Sequence, residues 1–523
     1  METPFTPLEF ARRARSLYGD RLAVVDGALR LTYAQLFDRC DRWATVLASW
    51  GVGKGDRVAY IAPNTHAQLE SFYAVPQLGA VLVPLNYRLA VDDFAYMIEH
   101  SGATVVCVHA DHIEVADALR ARCPDVAHWV ALEGERAGFA DYEALIARTP
   151  PSPPRVELDE RDLLTINYTS GTTSRPKGVM ITHRNAWTNS VGTLLHHPMT
   201  PSDRYLWTLP MFHANGWTFV WTVTAIGGVH VCLRKVAPPE IFELLAAEQI
   251  TALCCAPTVL ISIASAPPEL RARAPRGVRV LTAGAPPAAA TIERVEGELG
   301  WVITHIYGLT ETSPFITICE PRAEHAALPP RERAIVKARQ GVELVTSGEL
   351  RVVDEDMRDV PRDAATIGEI VVRGNAVMAG YYNDPAATAV ALAGGYFHSG
   401  DSAVVHPDGY IEIRDRMKDV IISGGENISS IEVEAALLRH PAVQEVAVVG
   451  LPHEKWGEAP YAFVVLKPGA AATEAELRQF ARDHLAHFKA PQGVTFVAEL
   501  PKTATGKIQK FVLRGGRAAI NRQ

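Results

Sequence analysis

The first half of the chain alternates short apolar runs with amphipathic stretches. That rhythm constrains the fold more than any other feature. Residues 22–25, 57–62, 81–83 and 104–108 read as strands. Thr32 stands as an N-cap before Leu36, Cys40, Trp43, Ala44 and Leu47, which share one helical face, and Gly51 ends the run. Further helices are expected through Leu69 and Tyr73 and over 91–100. Strands separated by helices of this length imply βαβ units and a largely parallel sheet. The rhythm returns with buried strands at 251–256 and 278–282 and a helix at 289–299.

Residues 150–154 (Pro-Pro-Ser-Pro-Pro) cannot continue a helix and read as a linker after the first α/β block. From 348 to 373 short β segments are broken by Asp and Gly, which predicts a small β-rich subdomain. In the last hundred residues Thr473 and Glu476 form a capping box ahead of Leu477, Phe480, Ala481, His484, Leu485 and Phe488. Strands are expected there at 443–449, 461–466 and 494–498. The fold class is α/β: a large N-terminal domain of α/β subdomains with a small β-rich subdomain, then a C-terminal α+β unit.

Composition narrows the function. A chain of 523 residues suggests about three or four packed units. A formal charge of −8 argues against a general nucleic-acid binder, which needs a basic surface. The seven cysteines are odd in number and form no CxxC, which suits neither a disulfide framework nor a zinc site and points to a reducing, cytoplasmic setting. The uncharged run 205–233 contains Asn215, two His and three Gly, and reads as a buried helix followed by a strand, not a membrane span.

The strongest chemical signal is Tyr168-Thr-Ser-Gly-Thr-Thr-Ser-Arg-Pro-Lys-Gly-Val179 after a predicted strand at 163–167. Thr169, Ser170, Gly171, Thr172, Thr173 and Lys177 can wrap phosphate oxygens with backbone N–H groups, hydroxyls and an ammonium. The spacing from Gly171 to Lys177 is not that of a Walker A loop, and Gly178 stands where the magnesium-binding hydroxyl would be.

With this loop, Tyr307-Gly-Leu-Thr-Glu-Thr312, Gly395-Tyr-Phe-His-Ser-Gly-Asp401, the run 409–428 and Pro501-Lys-Thr-Ala-Thr-Gly-Lys507, the chain resembles the adenylate-forming superfamily of acyl-CoA synthetases, peptide-synthetase adenylation domains and luciferase. The motifs come in the family's order and span nearly the whole chain. The resemblance implies a body over 1–415 that binds ATP and acid, and a mobile cap over 416–523 hinged near Lys418. It implies ATP, Mg²⁺ and coenzyme A as cofactors. Tyr307 would stack on the purine, with Gly308 allowing close approach. Thr310 would meet the α-phosphate and Glu311 would ligate Mg²⁺. Asp401 would accept the ribose hydroxyls, and Arg416 would be a second ribose or phosphate contact. Taken alone, Asp401 would more often be a turn residue, and Arg416 would as readily pair with Asp415 or Asp419.

Lys507 would bridge the substrate carboxylate and the α-phosphate during adenylation. Lys502 and Lys510 read as solvated. Gly424 and Gly425 would pass the pantetheine arm of CoA. In 210–217 (Pro-Met-Phe-His-Ala-Asn-Gly-Trp) His213 would be a gate residue, catalytic and part of the acyl pocket with Trp217, Ala283, Gly284 and Gly308, while Gly284 and Ala285 also border the nucleotide. No acid occurs between Phe212 and Trp217, which suits a simple, uncharged carboxylic acid. The expected activity is an ATP-dependent acid–CoA ligase, an AMP-forming acyl-CoA synthetase acting on a small-molecule acid, most like fatty-acid and medium-chain ligases. The alternative is an acyl-AMP ligase that loads a carrier protein. Neither nucleic acid nor an integral membrane contact is expected, and a homodimer is common in the family.

Overall fold

The apolar runs pair into two large sheets. The computed structural model of the chain describes residues 2–169, 175–416, 419–423, 426–454, 456–503 and 508–515. Eight strands form one sheet, in the order Gly380–Tyr381, Gly178–Thr182, Leu163–Tyr168, Val81–Leu85, Arg57–Ile61, Val105–Val108, His128–Ala131 and Ala140–Asp141. Pairing is parallel from Leu163–Tyr168 onward and antiparallel at the other edge. A nine-stranded sheet follows the order Val342–Glu343, Phe315–Ile318, Val302–Gly308, Arg279–Thr282, Ala252–Cys255, Arg204–Leu206, Val229–Val231, Leu22–Asp26 and Leu29–Thr32. It is parallel from Val302–Gly308 to Leu22–Asp26.

These strands read as continuous apolar runs because helices cover both faces of a parallel sheet. Helix Tyr33–Ser49 shows the local logic. Thr32 and Gln35 make a reciprocal capping box, and Leu36, Cys40, Trp43, Ala44 and Leu47 are all buried. Trp43 keeps its indole N–H satisfied by donating to Tyr60 Oη at 2.7 Å. Truncating such a Trp typically costs about 3–5 kcal/mol.

The proline-rich segment 150–154 does not divide domains. Strand Leu163–Tyr168, after it, pairs in parallel with Val81–Leu85, before it. The segment is a crossover within one sheet, because burial of the central strand outweighs the local composition. The run 205–233 is also more broken than expected. Strand Arg204–Leu206 opens it, an irregular turn follows, and helix Phe219–Ile226 and strand Val229–Val231 end it. Among the described residues no helix is long and apolar enough to cross a membrane.

Strands Glu349–Val353, Gly368–Arg373, Phe397–Val405 and Ile411–Arg416 make the β-rich subdomain as one antiparallel sheet. The chain then changes sheet: Ile421–Ser423 belongs to the C-terminal sheet with Glu426–Ile428, Val443–His453, Gly457–Leu466 and Gly493–Phe496. The architecture is thus a large α/β N-terminal part and a smaller C-terminal unit. Thr473 and Glu476 form the expected capping box on helix Glu474–His484. Its stripe is narrower than predicted. Leu477 and Ala481 are buried, but the helix ends at His484, which is exposed, and Phe488 falls in a separate turn and is exposed too. Phe480 packs edge-on against the His440 ring instead.

Candidate active site

The phosphate loop hangs from a hairpin of Leu163–Tyr168 and Gly178–Thr182. The Thr169 N–H donates to the Lys177 carbonyl at 3.0 Å and closes its base. Gly178 has no room for a side chain, since a Cβ would sit 2.8 Å from Ile166. Ser170, Gly171, Thr172 and Thr173 lie outside the described residues. Tyr168, which opens the motif, has its hydroxyl committed to helix Val91–Ser101. Its hydroxyl is engaged by His100 Nδ1 at 2.8 Å and by the Met97 carbonyl.

Lys177 joins the loop to Glu311 through a residue that no motif announced. The Lys177 ammonium stands 4.7 Å over the Tyr381 ring, and the Tyr381 hydroxyl donates to Glu311 Oε1 at 2.9 Å. Tyr381 lies in the short edge strand Gly380–Tyr381 beside Val179 and Met180, so sheet pairing fixes this bridge. Glu311 sits in the single turn Thr310–Thr312, and its carbonyl accepts from the Met378 N–H at 2.8 Å.

A second constellation joins three of the predicted residues. Tyr307 and Gly308 end strand Val302–Gly308 of the nine-stranded sheet. Asp401 and Arg416 face each other across neighbouring strands of the β-rich subdomain. The Tyr307 hydroxyl donates to Asp401 Oδ2 at 2.6 Å, and Arg416 Nε lies 2.7 Å from Asp401 Oδ1. Asp401 is only 3% exposed, so this charge depends on its partners. Burial would lower the Arg416 pKa, but the Asp401 carboxylate outweighs it and holds the guanidinium charged. Burial and the adjacent Asp401 raise the Tyr307 phenol, which stays protonated as a donor. Arg416 therefore pairs by its side chain with Asp401; Asp415 accepts from the Arg416 backbone N–H, and Asp419 takes Arg514. Gly308 is required by crowding, because a Cβ there would overlap the Pro314 carbonyl oxygen.

The segment after His213 is strained. Ala214, Asn215, Gly216, Trp217 and Thr218 all have positive φ, between 36° and 68°. Left-handed backbone costs a non-glycine residue about 1–2 kcal/mol, so something must hold it. Asn215 does. It is buried, its amide donates to Thr165 Oγ1 at 2.8 Å, and its carbonyl oxygen accepts from Asn167 at 3.2 Å. Asn167 also donates to the Phe212 carbonyl at 3.0 Å. Thr165 and Asn167 belong to the strand that leads into the phosphate loop, so loop and His213 segment share one set of hydrogen bonds. Sequence reading missed this tether; its one cue was a lone Asn in an apolar run. His213 is half-buried, and Trp217 packs edge-on to Phe315.

Ala283 is buried in the same apolar cluster as Trp217, Tyr307 and Phe315. Gly284, at φ +94°, and Ala285 are exposed at the end of strand Arg279–Thr282. Segments following Arg204–Leu206, Arg279–Thr282 and Val302–Gly308 thus emerge from the carboxyl ends of parallel strands, where open α/β sheets bind ligands. Lys418, Gly424, Gly425 and Lys507 lie outside the described residues. Lys502 and Lys510 are not solvated as predicted. Lys502 pairs with Glu445 at 2.6 Å, and Lys510 is enclosed against Glu434 at 2.8 Å, because strand and helix packing bring acids to both.

Comparison with known proteins agrees with this geometry. Residues 10–382 match the family of AMP-binding enzymes, and residues 432–507 match the AMP-binding enzyme C-terminal domain. The chain is 43% identical over 530 residues to 4-hydroxybutyrate–CoA ligase 2 of Metallosphaera sedula, covering 99% of this chain and 96% of that one. It is 40% identical over 540 residues to the peroxisomal benzoate–CoA ligase of Arabidopsis thaliana, covering 98% and 93%. The crystal structure of ATP-bound MatB from Rhodopseudomonas palustris superposes with a TM-score of 0.85 at 29% identity, covering 98% of each chain. With both parts of the chain matched, the protein belongs to the AMP-binding enzymes, the adenylate-forming ligases that bind ATP with Mg²⁺ and activate a carboxylic acid as its acyl-AMP.

Proposed function

We propose that this adenylate-forming ligase is a carboxylic acid–CoA ligase. A carboxylate oxygen of the acid attacks the α-phosphorus of ATP and pyrophosphate leaves. The CoA sulfur then attacks the acyl carbon, and AMP leaves. The observation that carries CoA as the acceptor is the end-to-end likeness to proteins named as CoA ligases, at 43% identity over 99% of this chain.

We assign the residue roles from the motifs, and the contacts among the described residues support them. Asp401, bound by Tyr307 on one oxygen and by Arg416 on the other, is the ribose contact. The Tyr307 ring faces the base, and Thr310 and Lys177 serve the phosphates with Thr169, Ser170, Gly171, Thr172 and Thr173. Glu311, oriented by Tyr381, suits a hard cation; Mg²⁺ there would neutralise phosphate oxygens. Lys507 stabilises charge as the carboxylate attacks, and loss of such a donor typically costs about 10²–10³ in rate. His213, Trp217, Ala283, Gly284 and Gly308 border the acid, and Gly284 and Ala285 border the nucleotide.

We place the body over 1–415 and the cap over 416–523. The change of sheet between Arg416 and Ile421 supports a boundary there. The cap turns about Lys418 between the two steps, withdrawing Lys507 and bringing Gly424 and Gly425 to the thiol arm. Pyrophosphate release across a panel of uncharged fatty, branched and aryl acids, with and without CoA, tests the assignment. The expected products are AMP and a CoA thioester. Acid-dependent pyrophosphate release with no thioester, and acyl transfer to a carrier protein instead, would overturn it.

A further inference from the structure

The C-terminal helix Lys510–Arg514 carries two cations, and both reach carboxylates beside the hinge. Lys510 Nζ lies 2.8 Å from Glu434 Oε1 and also donates to Ser430 Oγ. Ser430 in turn donates its N–H and its hydroxyl to Asp415 Oδ2, at 2.7 and 2.6 Å. Glu434 is fixed from another side, accepting from the Val448 N–H at 2.8 Å. One turn further along the helix, Arg514 reaches Asp419 Oδ1 at 2.5 Å. Asp415 and Asp419 thus flank residues 417 and 418, and one short helix holds both.

The same helix is tied to the start of the motif that contains Lys507. Lys502 and Ile508 form an antiparallel bridge, and the Gln509 N–H donates to the Pro501 carbonyl at 2.8 Å. The two ends of the lysine motif are therefore clasped, and the clasp runs directly into Lys510. A buried ammonium with a carboxylate at contact distance and a hydroxyl relay to a second acid is a costly arrangement unless every member is paired. Burial would lower the Lys510 pKa; Glu434 and Asp415 outweigh it and keep the group charged.

We propose that Lys510 and Arg514 are positioning residues for adenylation: through Glu434, Ser430 and Asp415 on one side and Asp419 on the other, they set the lysine motif against the hinge. This rests on the reading of Lys507 and Lys418 given above. The two cations act as positioning residues through the clasp of Pro501 and Lys502 with Ile508 and Gln509, the two ends between which the lysine motif runs. A displacement of about 1 Å in such a group can cost 10²-fold.

The test measures the two half-reactions separately in the full-length protein. Acid-dependent pyrophosphate exchange reports adenylation, and thioester formation from premade acyl-AMP reports transfer. Lys510→Met and Arg514→Gln are expected to lower kcat for adenylation about 10- to 100-fold with little change in KM for ATP or acid, and to leave transfer within about threefold. Lys510→Arg is expected to recover most of the loss. Arg514→Gln keeps the experiment decisive if Lys510→Met does not fold, since its pair is more open to solvent. Unchanged adenylation, or equal loss in both half-reactions with a lowered Tm, would show a merely structural role and overturn the proposal. Lys507→Ala is run alongside. If it leaves adenylation intact, the assignment of Lys507 fails first and the positioning role falls with it.

Discussion

Asp401 is where burial, charge and the proposed ribose contact meet. A carboxylate this enclosed is tolerated because Tyr307 and Arg416 each bind one of its oxygens. Asp401→Asn removes the charge with little change in shape. It is expected to raise the apparent KM for ATP about 10- to 100-fold, in line with hydrogen bonds to charged groups, and an unchanged KM in steady-state assays would reduce Asp401 to a structural role. Asn215 is the other informative residue. Asn215→Ala leaves Thr165 and Asn167 short of partners in a left-handed turn, and a loss of about 1–3 kcal/mol is expected in denaturant unfolding. Asn215→Gly loses the same hydrogen bonds but relieves the backbone, so it should cost less than Ala; the reverse order would show that strain is not stored there. Asp401, Tyr307 and Arg416 were legible in the sequence because each sits in a motif. Tyr381, Thr165, Asn167 and Asn215 were not, because their partners are more than forty residues away in sequence and only the sheets bring them together.

At the scale of elements, local patterns were read well where one side of the chain faces a core. Helix Tyr33–Ser49 and its cap, strands Leu22–Asp26, Arg57–Ile61, Val81–Leu85, Val105–Val108, Ala252–Cys255 and Arg279–Thr282, and helix Ala289–Leu299 follow from periodicity and capping, whereas strands His128–Ala131 and Val302–Gly308 were not read. The errors came where tertiary packing decides. Phe488 looked like a continuation of a stripe but falls beyond the helix end, and Lys510 looked solvated but meets an acid from another helix. The segment between Arg416 and Ile421 joins two sheets and carries the hinge in the proposed mechanism. Lys418→Pro fixes φ there. It is expected to leave adenylation within a few-fold and to slow thioester formation from premade acyl-AMP by at least an order of magnitude; equal rates for the second step would remove the hinge.

Over the whole molecule, buried histidines set the pH response. Burial holds His183, His197 and His305 down at about 4 and His230 at about 3, below their ordinary value of 6.5. The unfolded chain binds more protons than the native one between those values, so stability falls as pH drops from about 6.5 toward 4. His66 is the opposite case. Burial alone would lower it, but Asp26 at 2.7 Å and Glu143 at 3.1 Å raise it to about 9. Its contribution is complete below about 6.5 and is lost as pH rises through 9. Thermal unfolding across pH should therefore peak near about 7, with the acid limb steeper because these four histidines, joined by His100, His109, His112 and His128, which burial also lowers, act there against His66 alone. A profile flat from pH 4 to 7 would contradict the buried neutral histidines.

The crossover at 150–154 has an engineering consequence. The segment is largely exposed, yet Val81–Leu85 before it and Leu163–Tyr168 after it are neighbours in the middle of one sheet. Exposed loops of this kind accept a cut. A chain severed there should not fall into two independent proteins. The pieces would stay together by the strand pairing of Val81–Leu85 with Leu163–Tyr168, co-elute as one particle and part only when the sheet melts. Expressed separately, each would lack a central neighbour strand and recover ligase activity only on mixing, which makes this proline-rich crossover a natural place to build a fragment-complementation sensor.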